Sequence, residues 1–193
     1  MLTDRIIGAL TFRREVYAEV ENDPSFTSTA WIIVAVVTFL NELGSRASAG
    51  VGFGSWIIGT VMGTILGLVG FALAAVVISW IGRSLFNADV TFDEVVRTLG
   101  LASVWRAVGV IGSLVAFSTF LACVTAPALL AALVLTIAAW FIAVKEALDL
   151  EWGQTIVTVI LGFIVLLVFY FITGAVTSLL GFGAAALGGA ISS

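Results

Sequence analysis

Residues Arg83 to Arg106 read RSLFNADVTFDEVVRTLGLASVWR, the longest stretch between apolar runs that could live in water. The runs on either side could not, so the face of a membrane on which this connector lies fixes the orientation of every other segment. Within it, Thr91 followed by Glu94 makes a capping box: the threonine oxygen accepts a free amide of the first helical turn and the glutamate reaches back to the threonine backbone. Phe92, Val95, Val96 and Leu99 then recur at i, i+3, i+4 and i+7, one apolar face of a short helix. Asp93, Glu94 and Arg97 lie away from that face. The pattern predicts a helix that lies along the membrane surface or docks on neighbouring spans.

The chain of 193 residues is one domain by length, yet 61% of it is hydrophobic, only 10% is charged, and its mean hydropathy is +1.22. A water-soluble fold of this size cannot hide so much apolar surface. The expected class is all-α, a polytopic membrane helical bundle of about five transmembrane helices with short amphipathic interfacial helices. The net charge of −4 does not suggest a nucleic-acid partner. The single cysteine, Cys123, sits in an apolar run, can form no internal disulfide and reads as a small buried residue. The absence of histidine removes the commonest general base, proton relay and metal ligand together. The opening residues are too charged and too briefly apolar for a signal peptide, so the first span must drive insertion.

Residues 1–25 form an amphipathic segment in which Leu2, Ile6, Leu10, Tyr17 and Val20 alternate with charged side chains, a pattern that suits a membrane interface. Thr11 is a candidate cap for a second short helix reaching Asn22. Asp23-Pro24 reads as a restart, with Asp as cap and Pro in the first turn. The membrane domain occupies residues 26–181. Its predicted spans are Phe26–Leu43, closed by Glu42 and Arg46; Ser55–Gly82, after the small flexible loop Ala47–Gly54; Val104–Leu121; Pro127–Val144, joined to the third by a turn at Ala122–Ala126; and Thr155–Leu180. Residues 182–193 are a Gly/Ala-rich tail too weakly apolar for another crossing.

Five crossings put the termini on opposite sides, and basic residues decide which is inside. Arg5, Arg13, Arg14, Arg83, Arg97, Arg106 and Lys145 all fall on one face, and only Arg46 on the other. The expected setting is therefore the cell membrane, with a cytoplasmic N-terminus and the C-terminus outside. Trp31, Trp56, Trp80, Trp105, Trp140 and Trp152 all lie near span ends, as an interfacial aromatic belt requires.

Gly59, Gly63 and Gly67 repeat every four residues, with Gly70 beside them, and a stripe without side chains lets another helix approach closely. It serves either an oligomer or partner interface or internal packing. Span hydroxyls such as Thr60, Thr136 and Thr158 are expected to bond back to their own helices or across to a neighbour. No charged residue occurs from Ala107 to Val144 or after Trp152, so the ionisable group at depth that proton-coupled transport generally needs is missing. Arg106, beside Trp105, is expected to snorkel to the cytoplasmic interface. Lys145, Glu146, Asp149 and Glu151 form a charged turn that, with Asp93, Glu94, Arg97 and Arg106, is the candidate cytoplasmic docking surface. No phosphate-cradling loop, paired catalytic carboxylates, metal cluster or activated nucleophile is recognisable, so no catalytic residue, metal or cofactor is expected.

Three stretches carry a family resemblance: YAEVENDPSFTSTAW at Tyr17 to Trp31, FDEVVRTLGLASVWR at Phe92 to Arg106, and WFIAVKEALDLEWGQTI at Trp140 to Ile156. Together they resemble the Yip1 family, in its prokaryotic branch of small five-span proteins. The resemblance implies five helices and a cytoplasmic N-terminus. Eukaryotic members look like adaptors of vesicle traffic that engage small Rab-type GTPases, but their Asp-Leu-Tyr-Gly-Pro motif is absent here. Where many relatives place a proline before the third span, this chain has Trp105. The expected function is that of a non-enzymatic scaffold or accessory subunit acting through helix packing, in contact with membrane lipids and with other membrane proteins or copies of itself. The alternatives are a channel or permease for a neutral or apolar solute, and a lipid-organising protein.

Overall fold

A backbone that enters lipid must pair its amides within its own segment, which leaves helices or a closed barrel as the spanning structures. A computed structural model of the chain describes residues 1–47 and 52–191, with side chains as far as Ala175, and among these there is no strand. The elements are α1 (Leu2–Leu10), α2 (Arg14–Glu21), α3 (Phe26–Ala47), α4 (Phe53–Phe86), α5 (Phe92–Ala102), which runs on as a 3₁₀ segment (Ser103–Ala116), α6 (Phe120–Leu148) and α7 (Trp152–Ile191). Five helical runs are long and apolar enough to cross a membrane: α3, α4, the joined run Phe92–Ala116, α6, and Trp152–Ala175 of α7. The protein is an all-α polytopic bundle.

The span count stands, but several boundaries move. Thr11 does not cap α2, whose N-cap is Arg13; its hydroxyl instead donates to Ile7 O and Gly8 O at the end of α1. The first span continues through Glu42 and Arg46 to Ala47. The turn between the third and fourth spans is Phe117–Thr119, not Ala122–Ala126, and Pro127 lies inside α6 rather than in its first turn. An apolar, uncharged stretch holds no polar signal to place such a turn. Cys123 is exposed on α6, against the expectation of a buried residue. The helix of α7 takes in most of the Gly/Ala tail; of the expected Ala47–Gly54 loop, residues 48–51 lie outside the described residues, while Ala47 ends α3 and Phe53 and Gly54 begin α4.

α1 and α2 form a small helical hairpin folded over one end of the bundle, here termed the hairpin end. Its turn is a Schellman motif: Arg13 N–H donates to Gly8 O at 2.9 Å and Phe12 N–H to Ala9 O at 3.2 Å. Phe12 occupies the position usually given to glycine, with φ at 57°, and stacks on Trp105 at 6.0 Å. Arg5 ties the hairpin to the following turn through Glu19 at 2.7 Å and Asp23 at 2.9 Å, and Arg14 lies over Trp152.

α5 is the hub of this end. The capping box is present, with Thr91 N–H donating to Glu94 at 2.6 Å and Glu94 N–H to Thr91 Oγ1 at 3.3 Å. Every residue from Val95 to Ala102 is buried, so the helix is docked inside the bundle rather than laid on a surface. α3 passes beside it so closely that a Cβ on Gly100 would stand 2.8 Å from the methyl of Ala30.

Candidate functional site

The glycine stripe faces inward. A Cβ on Gly63 would come within 2.1 Å of Glu42 Oε2, one on Gly67 within 2.5 Å of Thr38 Cγ2, and one on Gly59 within 3.1 Å of the Arg46 guanidinium. Gly70 faces the Tyr170 hydroxyl of α7. The stripe is therefore internal packing of α4 against α3 and α7, the second of the two readings its spacing allowed. Glu42 and Arg46, paired at 3.0 Å near the end of the first span, lie over this stripe as a neutral couple.

The docking candidates also divide. Asp93, Asp149 and Glu151 are exposed at the hairpin end, and Glu94, Lys145 and Glu146 are half-buried there. Lys145 Nζ donates to Leu150 O at 3.0 Å and lies over Trp152. Arg97 is not a surface residue: it is only 5% exposed, because its guanidinium is spent inside the fold. Its Nε donates to Glu21 O at 3.0 Å, a second nitrogen reaches the same carbonyl, and Nη1 donates to Thr27 Oγ1 at 3.2 Å. Glu21 closes α2, so Arg97 neutralises the carbonyl end of that helix dipole and fastens α2 and α3 to α5. The face argument failed for Arg97 because α5 is surrounded on all sides.

Beside these contacts stands a cavity of about 700 Å³ between α3, the 3₁₀ segment, α6 and α7, within the size range of small-molecule sites. The 3₁₀ geometry builds one wall. With three residues per turn, side chains at i and i+3 eclipse, so Arg106, Gly109, Gly112 and Val115 form one straight column facing the space. Gly109 and Gly112 also let α3 in: a Cβ on Gly112 would stand 2.9 Å from Gly44 O, and one on Gly109 2.2 Å from Asn41 Oδ1. The opposite walls carry Leu129, Ala132, Leu133 and Ile137 of α6 and Phe163, Leu166 and Leu167 of α7. Leu133 and Leu167 line the cavity and are 56% and 69% exposed, so its mouth opens sideways between α6 and α7.

Asn41, Ser45, Thr136 and Tyr170 line the cavity along its length, and its one charged lining residue stands at the hairpin end. Trp105, Arg106, Trp140 and Phe163 are the lining residues nearest the hairpin end on their three elements, and Trp140 stacks on Phe163 at 5.3 Å. The indole nitrogens of Trp105 and Trp140 are buried without a hydrogen-bond partner. Arg106 is half-buried and makes no ion pair among the described residues, and no carboxylate lines the cavity. The site is therefore a mainly apolar slot with an unpaired guanidinium at one end. It can hold an amphiphile; no group of metal-ligating side chains occurs among the described residues.

A family profile described as the Yip1 domain matches residues 7–190. The chain belongs to the Yip1 family. Among curated proteins and among solved structures no match to it is found. The three stretches that carried the family resemblance meet in this Yip1 protein at the hairpin end. The first holds Glu21 and Thr27, the second Arg97 and Arg106, and the third Trp140 and Lys145. Sequence reading named Arg106 but missed its column, because Arg106-Gly109-Gly112 has a period of three, which marks a 3₁₀ turn and not the α-helix expected there. Asn41 and Gly44 carried no signal of their own.

Proposed function

We propose that this Yip1-family protein is a non-enzymatic, lipid-organising membrane protein that holds an amphiphile in the cavity between α3, the 3₁₀ segment, α6 and α7. The observation that carries this reading is the cavity itself, walled mainly by apolar side chains and open sideways between Leu133 and Leu167. A site that opens in the plane of the bundle meets lipid before it meets water. The distribution of basic residues supports the cell membrane as its location, with the hairpin end and N-terminus in the cytoplasm.

The test is native mass spectrometry of the protein released from gentle detergent. Wild type is expected to retain lipid, and Ala132→Trp, which fills the cavity from a lining residue 7% exposed, is expected to lose it while remaining monodisperse. A wild-type particle with no retained lipid would contradict the reading.

A second reading, an accessory or scaffold subunit of a membrane assembly, draws support from the exposed Asp93, Asp149 and Glu151 at the hairpin end. Its docking face is that acidic rim, not the glycine stripe. Co-purification of a stoichiometric partner that Asp93→Lys together with Glu151→Lys releases would favour it.

A further inference from the structure

The cavity is asymmetric in chemistry, and the asymmetry specifies its occupant more narrowly than its apolar walls do. At the end nearest the hairpin it offers a cation and no charged acceptor: the guanidinium of Arg106, flanked by the rings of Trp105 and Trp140. A cation in a membrane-spanning segment without a counter-charge costs free energy. The two other arginines withdrawn from solvent at this end show how the fold meets this demand. Arg5 has Glu19 and Asp23, and Arg97 has the Glu21 carbonyl and Thr27. Arg106 has neither kind of partner, and it faces a slot walled by leucine, isoleucine and phenylalanine.

We propose that the cavity is a site for one anionic phospholipid, its phosphate seated on Arg106 and an acyl chain laid along Gly109, Gly112 and Val115. This rests on the reading of the cavity as a lipid site and adds the headgroup. The column from Arg106 to Val115 rises about 2 Å per residue, roughly the length of a long acyl chain. Gly109 and Gly112 seat this wall against Asn41 and Gly44 of α3, and the chain lies along it. The chain enters through the sideways mouth between Leu133 and Leu167, so the lipid need not leave the bilayer. A zwitterionic phospholipid also carries a phosphate, but its own ammonium competes with Arg106 for it. A lipid with net negative charge therefore binds more tightly.

The experiment places the full-length protein in nanodiscs of equimolar phosphatidylglycerol and phosphatidylcholine with matched chains, then identifies the lipid kept after ejection into the mass spectrometer. The expected result is retained phosphatidylglycerol enriched roughly tenfold, the scale of one hydrogen bond to a charged group. Arg106→Gln should bring the ratio close to that of the surrounding bilayer while lipid is still retained. Arg106→Lys, a compact charge without the planar fork, should keep part of the enrichment. Arg83→Gln, which removes an exposed charge at the same end, should leave it unchanged. Equal retention of the two lipids by wild type overturns the headgroup assignment and leaves the lipid site standing. An equal loss in Arg83→Gln and Arg106→Gln also overturns it, because the preference would then belong to the surface. Retention of no lipid at all overturns both.

Discussion

Arg97 and Arg106 sit on one continuous helical run and have opposite surroundings. Arg97 is buried and its hydrogen bonds are spent on the end of α2 and on Thr27, whereas Arg106 turns to a cavity with nothing of opposite charge. Around Arg97 the balance of charge is delicate. Burial, and then the nearby Asp149, Glu94 and Glu146, push the Glu21 carboxyl up to about 7, with Arg97 pulling the other way. Its folded value lies above the ordinary 4.5, so the folded state holds this proton more tightly than the unfolded state. The resulting stabilisation is present in full below the unfolded value and is lost as pH rises through the folded one. The hairpin end should therefore loosen between roughly pH 5 and pH 8, by about 1 kcal/mol once solvent screening of a half-buried group is allowed for. Hydrogen exchange of α2 amides checks this: protection should fall over that window in wild type and stay flat in Glu21→Gln. An equal fall in both would remove Glu21 as the cause.

Among the elements, legibility followed the strength of local chemistry. The capping box of α5 was readable to the residue, because Thr91 and Glu94 satisfy each other's backbone without help from the rest of the fold. The α6 start was not, since Phe117 to Pro127 offers only apolar and hydroxyl side chains and Pro127 is accommodated within the helix. The glycine stripe was readable as a period but not as a partner; only the fold shows that α3 fills it. Gly63→Leu should thus drive α3 from α4, costing about 1–3 kcal/mol as overpacking does, whereas Gly54→Leu, with nothing within 4 Å of its Cβ position, should be neutral. Thermal unfolding followed by tryptophan fluorescence would report the difference, with particle size unchanged in both. A Gly63→Leu protein of wild-type stability but smaller particle size would return the stripe to an interface between chains. The 3₁₀ segment was the element furthest from sequence reach. Its wall of Arg106, Gly109, Gly112 and Val115 exists only because the turn there is tightened to three residues.

At the scale of the molecule, the charged residues other than Glu42 and Arg46 belong to the hairpin end and the segment just beyond it, while the rest of the bundle presents apolar side chains outward. Leu130, Leu133, Leu167 and Phe171 are all more than half exposed, as lipid-facing residues of a spanning bundle are. That division orients the protein and sets the cavity's cation toward one membrane face, with its mouth in the apolar zone. The family and the five candidate spans follow from the chain itself, and the lipid proposal is built on them. A cryo-electron microscopy map of the protein in nanodiscs containing phosphatidylglycerol tests it most directly. The expected result is tubular density running from Arg106 past Gly109 and Gly112, with a branch leaving between Leu133 and Leu167. An empty cavity, or α6 and α7 closed together over it, would contradict the lipid site.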